Sequence, residues 1–195
     1  MTITDINQLD PTKKYTYADY LTWRFKERVE LIKGKLFKMS PAPNLYHQRI
    51  ATRLIKVFAV FLEGKACEVF SAPFDVRFPK KGAADASTYN IVQPDICVVC
   101  DPSKLDIKGC NGAPDLIVEI LSKATGKKDL HEKYQLYESN GVREYWIVHP
   151  TEQTLQINTL SDGKYVPGKL LTGGEIACSK VIKGFTLDLN QVFDS

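Results

Sequence analysis

The chain has no apolar run near the roughly 20 residues that a membrane span needs. Its opening, MTITDINQLD, is polar and acidic and lacks the apolar core of a signal peptide. Cysteine is scarce, with five residues, an odd number, at spacings that suggest no disulfide framework. A reducing, cytoplasmic location is the expectation. Cys97 and Cys100 form a C-x-x-C, but inside a strand pattern, where residues three apart point to opposite faces. They read as two small buried hydrophobes rather than a zinc or redox pair. His47, His131 and His149 are scattered and show no zinc spacing. Net charge is only +3, far from a polybasic tail, though compatible with an anionic partner. No repeat, low-complexity segment, helix-turn-helix or zinc-finger reading head is evident.

What is present is globular. Of 195 residues, 44% are hydrophobic and 25% charged, enough for one domain with its own core. Residues 1–14 read as a loose arm and 15–195 as a single domain, with the chemistry in 91–150 and none placed in 151–195. Tyr15 to Arg28 reads as a short helix, with Thr16 as N-cap and Asp19 in its first turn. Two alternating runs flank Lys33-Gly34, the signal of a hairpin. Glu30 lies in its first strand, read from this stretch alone as an exposed strand residue or a functional acid.

Leu45 to Glu63 is the clearest helix, with Ile50, Leu54, Val57, Phe58, Phe61 and Leu62 at helical spacing. Arg49, Arg53 and Lys56 lie on another face, either a solvated stripe or a phosphate-contacting one. His47 and Gln48 open this helix, where backbone N–H groups are expected to be free for an anion. Residues 66–79 are strand-like and broken at Pro73, and 80–90 and 101–113 read as loops. After Pro150 come an edge hairpin through Ser161-Asp162-Gly163-Lys164 and one last strand with a short terminal turn.

The centre, 93–150, reads as strand, loop, strand, charged helix, strand. Glu119 is the anomaly, a carboxylate inside the apolar run Leu116 to Leu121. Burying it alone would cost several kcal/mol, so it either reaches water or meets a cation. If the two strands pair antiparallel with Cys100 facing Pro114, Asp95 lies opposite Glu119. Opposed carboxylates repel unless neutralised, and oxygen donors suit a hard ion such as Mg²⁺. The alternatives are one raised carboxylate pKa or solvent exposure. Ser122 or Thr125 can cap the helix that follows. Asp129, Lys133 and Tyr137 are spaced to share one helix face, either as a surface pair with a core rim or as a turn that brings Lys133 back to the carboxylates. Lys123, Lys127 and Lys128 make this region locally basic.

These residues carry a resemblance. QPD at 93–95, PDLIVEILS at 114–122, then Thr125, Asp129, Lys133, Tyr137 and GVREYWIV at 141–148 resemble the Uma-two family, restriction-endonuclease-like proteins of bacteria in the PD-(D/E)XK nuclease superfamily. The likeness runs from VELIKGKLFKMSPAP and His47-Gln48 to GFTLDL, most of the chain. It implies an α/β (α+β) fold: a mixed four- or five-stranded sheet flanked by helices, with decorating hairpins. It also implies Mg²⁺-dependent hydrolysis of DNA phosphodiesters, with Mn²⁺ able to substitute. The two superfamily acids fall on Asp95 and Glu119. The lysine normally two residues after the second acid is absent, since that position is Leu121, and the resemblance points to Lys133 instead. Glu30 matches an acid supplied from an N-terminal element. His149 stands where relatives usually carry Asp.

The expected site therefore has Asp95, Glu119 and the Ile120 carbonyl on the metal, Glu30 as an additional or outer ligand, and Lys133 orienting the attacking water. Asp129 and Tyr137 would hold Lys133. His47, Gln48, Arg49, Arg53, Ser122, Lys127 and Lys128 would meet neighbouring DNA. One metal site cuts one strand, so duplex cleavage suggests a homodimer. The alternatives are a catalytically inactive DNA-binding or regulatory module on the same fold, and a hydrolase of some other phosphoester.

Overall fold

The computed structural model describes residues 2–39, 44–80, 84–122 and 129–193, with the side chains of 129 and 130 left aside. Residues 2–9 are not a loose arm. Ile6 is buried beside Tyr15, Tyr17 and Trp23, and Ile3 bridges to Trp23. The first helix, α1 (Tyr17–Tyr20), is one turn long and is held by a reciprocal capping box between Thr16 and Asp19. The expected cap is present, but the helix stops well short of Arg28. Trp23 leaves it to stack in an aromatic cluster with Tyr15, Tyr20 and Phe25, and Arg24 donates its backbone N–H to Ile3.

Strands β1 (Val29–Ile32) and β2 (Lys35–Lys38) form the expected hairpin. Lys33 and Gly34 both have positive φ, 54° and 78°, as a tight two-residue hairpin turn requires. Helix α2 (Leu45–Leu62) buries Ile50, Leu54, Phe58 and Leu62, the face read from the sequence. Next come β3 (Glu68–Ser71) and β4 (Val76–Arg77), separated by a cis Ala72–Pro73 bond, then β5 (Ile91–Val92) and β6 (Ile96–Val99). The stretch expected as a 101–113 loop instead contains a small hairpin, β7 (Leu105–Asp106) and β8 (Gly109–Asn111).

Strand β9 (Leu116–Ile120) is followed by a π-helical turn, Asp129–Lys133, that runs into α3 (Tyr134–Ser139), and then by β10 (Glu144–His149). Strands β11 (Thr154–Ser161) and β12 (Lys164–Thr172) make the expected hairpin. The tail holds two paired strands rather than one, β13 (Ile176–Cys178) and β14 (Thr186–Asp188), before the short α4 (Asn190–Phe193).

The central sheet has the order β12-β11-β10-β9-β6-β3. It is mixed, because β9 and β10 are parallel and joined through α3, while its other neighbours are antiparallel. Among the described residues it has six strands where four or five were expected, with the β11–β12 hairpin forming its edge. A second six-stranded sheet has the order β2-β1-β5-β4-β8-β7.

Alternation along the strands sorts the core into two layers. Ile96, Val98, Leu116, Val118, Ile120, Trp146 and Val148 pack under α2 and the tail. Cys97, Val99, Ile117, Tyr145 and Ile147 pack on the opposite face, against the second sheet and α3. Cys97 and Cys100 do face opposite ways, as strand geometry required. Cys100, however, is disulfide-bonded to Cys67, which corrects the reading of it as a free small hydrophobe. The β3–β6 register, with Glu68 opposite Val99, carried one step further sets the two cysteines side by side.

Candidate active site

The site grows out of the β6–β9 pair. Its register, Ile96 opposite Val118 and Val98 opposite Leu116, is the one inferred from the sequence. Glu119 alternates to the face that meets the second sheet. Lys133 and Tyr137, one turn apart at the start of the crossover helix, descend on it. Lys133 Nζ donates to Glu119 Oε1 at 2.8 Å, and the Tyr137 hydroxyl donates to the same oxygen at 2.7 Å. From the second sheet, β1 contributes Glu30, whose Oε1 lies 3.0 Å from Lys133 Nζ and accepts the Gln93 backbone N–H at 3.0 Å.

Glu30 is fully buried, and Glu119 and Lys133 are each only 3% exposed. The Lys133 ammonium, placed between two carboxylates, compensates Glu119. Removing it would take a close counter-charge away from both buried acids. Tyr137 bonds to Glu119 rather than to Lys133, so it orients the carboxylate and not the ammonium. Burial pushes its phenol well up, with the Glu119 and Glu30 carboxylates adding to the shift. The Cys97 thiol on the same face is likewise pushed up by burial, by Cys110 and by Glu119.

Asp95 sits just before β6, at the boundary between the two layers. Its Oδ2 accepts the Ile120 backbone N–H at 2.8 Å and lies 3.2 Å from His47 Nε2 of α2. Its carboxyl is thus pinned against the Glu119–Ile120 peptide. The sequence reading assigned His47 to the substrate, whereas its imidazole faces Asp95. Neither backbone N–H at this helix start is free for an anion. The His47 N–H goes to Asn44 Oδ1, and the Gln48 N–H goes to the Asn44 carbonyl.

Gln48 and Arg49 are exposed on the turn beside His47. Arg53 is committed elsewhere, donating to the Val192 carbonyl at 2.9 Å, so it ties α2 to the tail. Ser122 is half-buried just beyond β9. Lys123, Thr125, Lys127 and Lys128 lie outside the described residues, as does the side chain of Asp129.

Two positions that brace the site escaped sequence reasoning. Gln93, of the QPD stretch, holds Glu30 with its backbone and is itself held by Arg28 at 2.7 Å and Asp75 at 2.8 Å. Asp115, of the second PD, binds the Cys100 N–H and Arg143, which fixes the far end of β9. Both dipeptides were visible, but nothing in the pattern said which polar side chains they would meet.

A layered mixed sheet, with one acid just before β6, another on the neighbouring β9 and a lysine from the crossover helix, defines a nuclease-type α+β fold. It is similar to the crystal structure of "a putative nuclease belonging to DUF820" from Anabaena variabilis, with a TM-score of 0.68 and 19% identity over 91% of this chain and 97% of that one. The sequence is also 28% identical over 155 residues to Uncharacterized protein slr1290 of Synechocystis sp., covering 78% of this chain and 77% of the relative. The family profile Uma2, described as "Putative restriction endonuclease", matches residues 17–190. The chain belongs to the Uma2 family.

Members of such a fold imply a divalent metal, and the donor set can be tested against one. Among the described residues no three His, Cys, Asp or Glu side chains gather as a ligand cluster. The fit therefore rests on two carboxylates, Asp95, which is bonded to the Ile120 N–H, and Glu119, the residue before it in the chain, with the backbone beside them. Hard oxygen donors in small number suit Mg²⁺, which keeps several waters and takes substrate phosphate as a ligand. Glu30 is fully buried and engaged by Lys133 and the Gln93 N–H. Among the described residues no helix is long and apolar enough to cross a membrane.

Proposed function

We propose that the chain is a Mg²⁺-dependent endonuclease that hydrolyses DNA phosphodiester bonds. The observation that carries this reading is the Asp95 carboxyl bonded to the amide of Ile120, the residue that follows Glu119, whose own carboxylate is gripped by Lys133 and Tyr137. Asp95, Glu119 and the Ile120 carbonyl would hold Mg²⁺, or Mn²⁺ in its place. The chemistry supplied there is Lewis acidity toward a phosphate oxygen and a lowered pKa of bound water.

The chain's own residues do the rest. Lys133 keeps Glu119 in one orientation, positions the attacking water and offsets negative charge on the phosphate. Tyr137 fixes Glu119, and Glu30, held by the Gln93 N–H, fixes Lys133 before substrate arrives. Arg49 and Gln48, exposed beside His47, would contact neighbouring phosphates, with Ser122, Lys127 and Lys128 completing the expected contact set. Cutting both strands would take two copies of the chain, so a homodimer belongs to the same proposal.

One observation favours a second reading, a DNA-binding module without catalysis. Lys133 is nearly fully buried and already serves two carboxylates. Nicking of supercoiled plasmid decides between them. The enzyme nicks with Mg²⁺, stops with chelator, and loses about 100-fold or more in Asp95→Asn and Glu119→Gln, a scale set by loss of one strongly stabilising group. The module binds DNA in a salt-dependent way that neither chelator nor these changes alter.

A further inference from the structure

A cleft of about 450 Å³ opens beside the site, lined by Tyr20, Phe74, Asp75, Gln93, Ile107 and Lys108 among others. That is the size range of small-molecule pockets. It touches the proposed active site through one residue. Gln93 lines the cleft with its side chain while its backbone N–H holds Glu30. We propose that this cleft receives an unstacked nucleobase of the bound DNA strand, one that carries an exocyclic amino group. The proposal rests on the reading of the chain as a DNA nuclease and adds to it a site for substrate discrimination.

Three features argue for a base rather than a phosphate or an apolar ligand. The first is the walls. Tyr20 and Phe74 are aromatic, and Phe74 is fixed by face-to-face stacking on Phe70 at 4.3 Å, so a π-surface stands ready. Aromatic side chains are what proteins use to hold bases removed from the stack.

The second is the polar end. Asp75 Oδ1 accepts Gln93 Nε2 at 2.8 Å, while its bonds to the Tyr20 and Tyr17 hydroxyls are long, 3.4 Å each. A carboxylate with acceptor capacity to spare repels phosphate and suits an amino group, as acidic side chains do with cytosine N4. Thymine offers no such group. The other acid, Asp106, is already matched by Arg77 at 2.6 Å.

The third is Ile107. It stands fully exposed at the tip of the β7–β8 hairpin, on the rim of the cleft. The hairpin is seated firmly. Cys110 donates its backbone N–H to the Asp75 carbonyl at 2.9 Å, and a Cβ at Gly109, whose φ is +115°, would collide with that same oxygen. A rigidly mounted, water-exposed isoleucine beside an aromatic slot matches the apolar wedges that nucleic-acid proteins insert between base steps.

The test is fluorescence anisotropy of single-stranded 12-mers in chelator, so that no cleavage is needed, with plasmid nicking in Mg²⁺ measured in parallel. The expected result is that oligo-dC binds about 10-fold tighter than oligo-dT, on the scale of one good base contact. In Asp75→Asn the preference should fall to within about twofold. In Ile107→Ala, which changes only an exposed side chain and cannot unfold the protein, all binding should weaken by about 5-fold or more, on the scale of one stacking contact. Equal binding of dC and dT by the wild-type protein, or a preference unchanged in Asp75→Asn with Ile107→Ala silent, overturns the base cleft while nicking persists. Loss of both DNA binding and nicking in the wild-type protein overturns the nuclease reading as well.

Discussion

Replacing Lys133 by Met keeps the length of the side chain and removes its charge. Lys133 is 3% exposed and serves Glu119 at 2.8 Å and Glu30 at 3.0 Å, so the change takes a close counter-charge from two buried carboxylates. Removing one partner of a buried pair costs about 3–5 kcal/mol. In a domain of this size that corresponds to a fall in Tm of about 6–20 °C. Urea unfolding followed by circular dichroism measures the loss. The sharper measurement is the double variant with Glu119→Gln. Glu119→Gln alone leaves the ammonium with one anion fewer and destabilises. On the Lys133→Met background it removes a buried charge that has lost its close ammonium and should recover about 1–3 kcal/mol, a coupling usual for contacting groups. A loss below about 1 kcal/mol in the single variant, with Glu119→Gln adding to it instead of offsetting it, would show that these charges are solvated and that the buried triad is wrong.

Tyr137→Phe removes one hydrogen bond to a charged acceptor and should cost about 1.5–3 kcal/mol, read by the same unfolding curves, with nicking reduced through a less ordered Glu119. Alkaline pH should destabilise the fold. Burial raises the phenols of Tyr17, to about 12, and of Tyr20, Tyr137 and Tyr165 further, so these stay protonated in the native state while the unfolded chain ionises near its ordinary pKa of about 10. Stability is thus intact below about pH 10 and falls as pH rises toward the folded values, which 295 nm absorbance and stability at stepped pH would follow. Reducing the Cys67–Cys100 disulfide should cost about 2–4 kcal/mol, since it closes a long loop, and Cys67→Ser should be insensitive to reductant. Asp115→Ala leaves the Cys100 N–H without its acceptor and should cost about 1–3 kcal/mol in unfolding.

Much of this molecule is local in origin and was legible before folding. The Lys33-Gly34 turn, the α2 stripe, the Thr16–Asp19 cap and the β11–β12 hairpin each follow from residues within a few positions of one another. Glu119 was visible as a charge in an apolar strand, and the spacing of Lys133 and Tyr137 put them on one face. Even the β6–β9 register was accessible, because alternation leaves few ways to pair two buried strands.

What the sequence determined is which faces of each element are apolar and where on them a polar group must be answered. Only the tertiary structure decided who answers. Glu30 arrives from a different sheet to share Lys133 with Glu119, Asp95 turns to His47 and the Ile120 amide, and Arg53 is drawn away to the Val192 carbonyl. The reason is physical. Periodicity fixes the direction a side chain points relative to its own backbone, whereas a partner for a buried charge depends on which distant layer closes over that face.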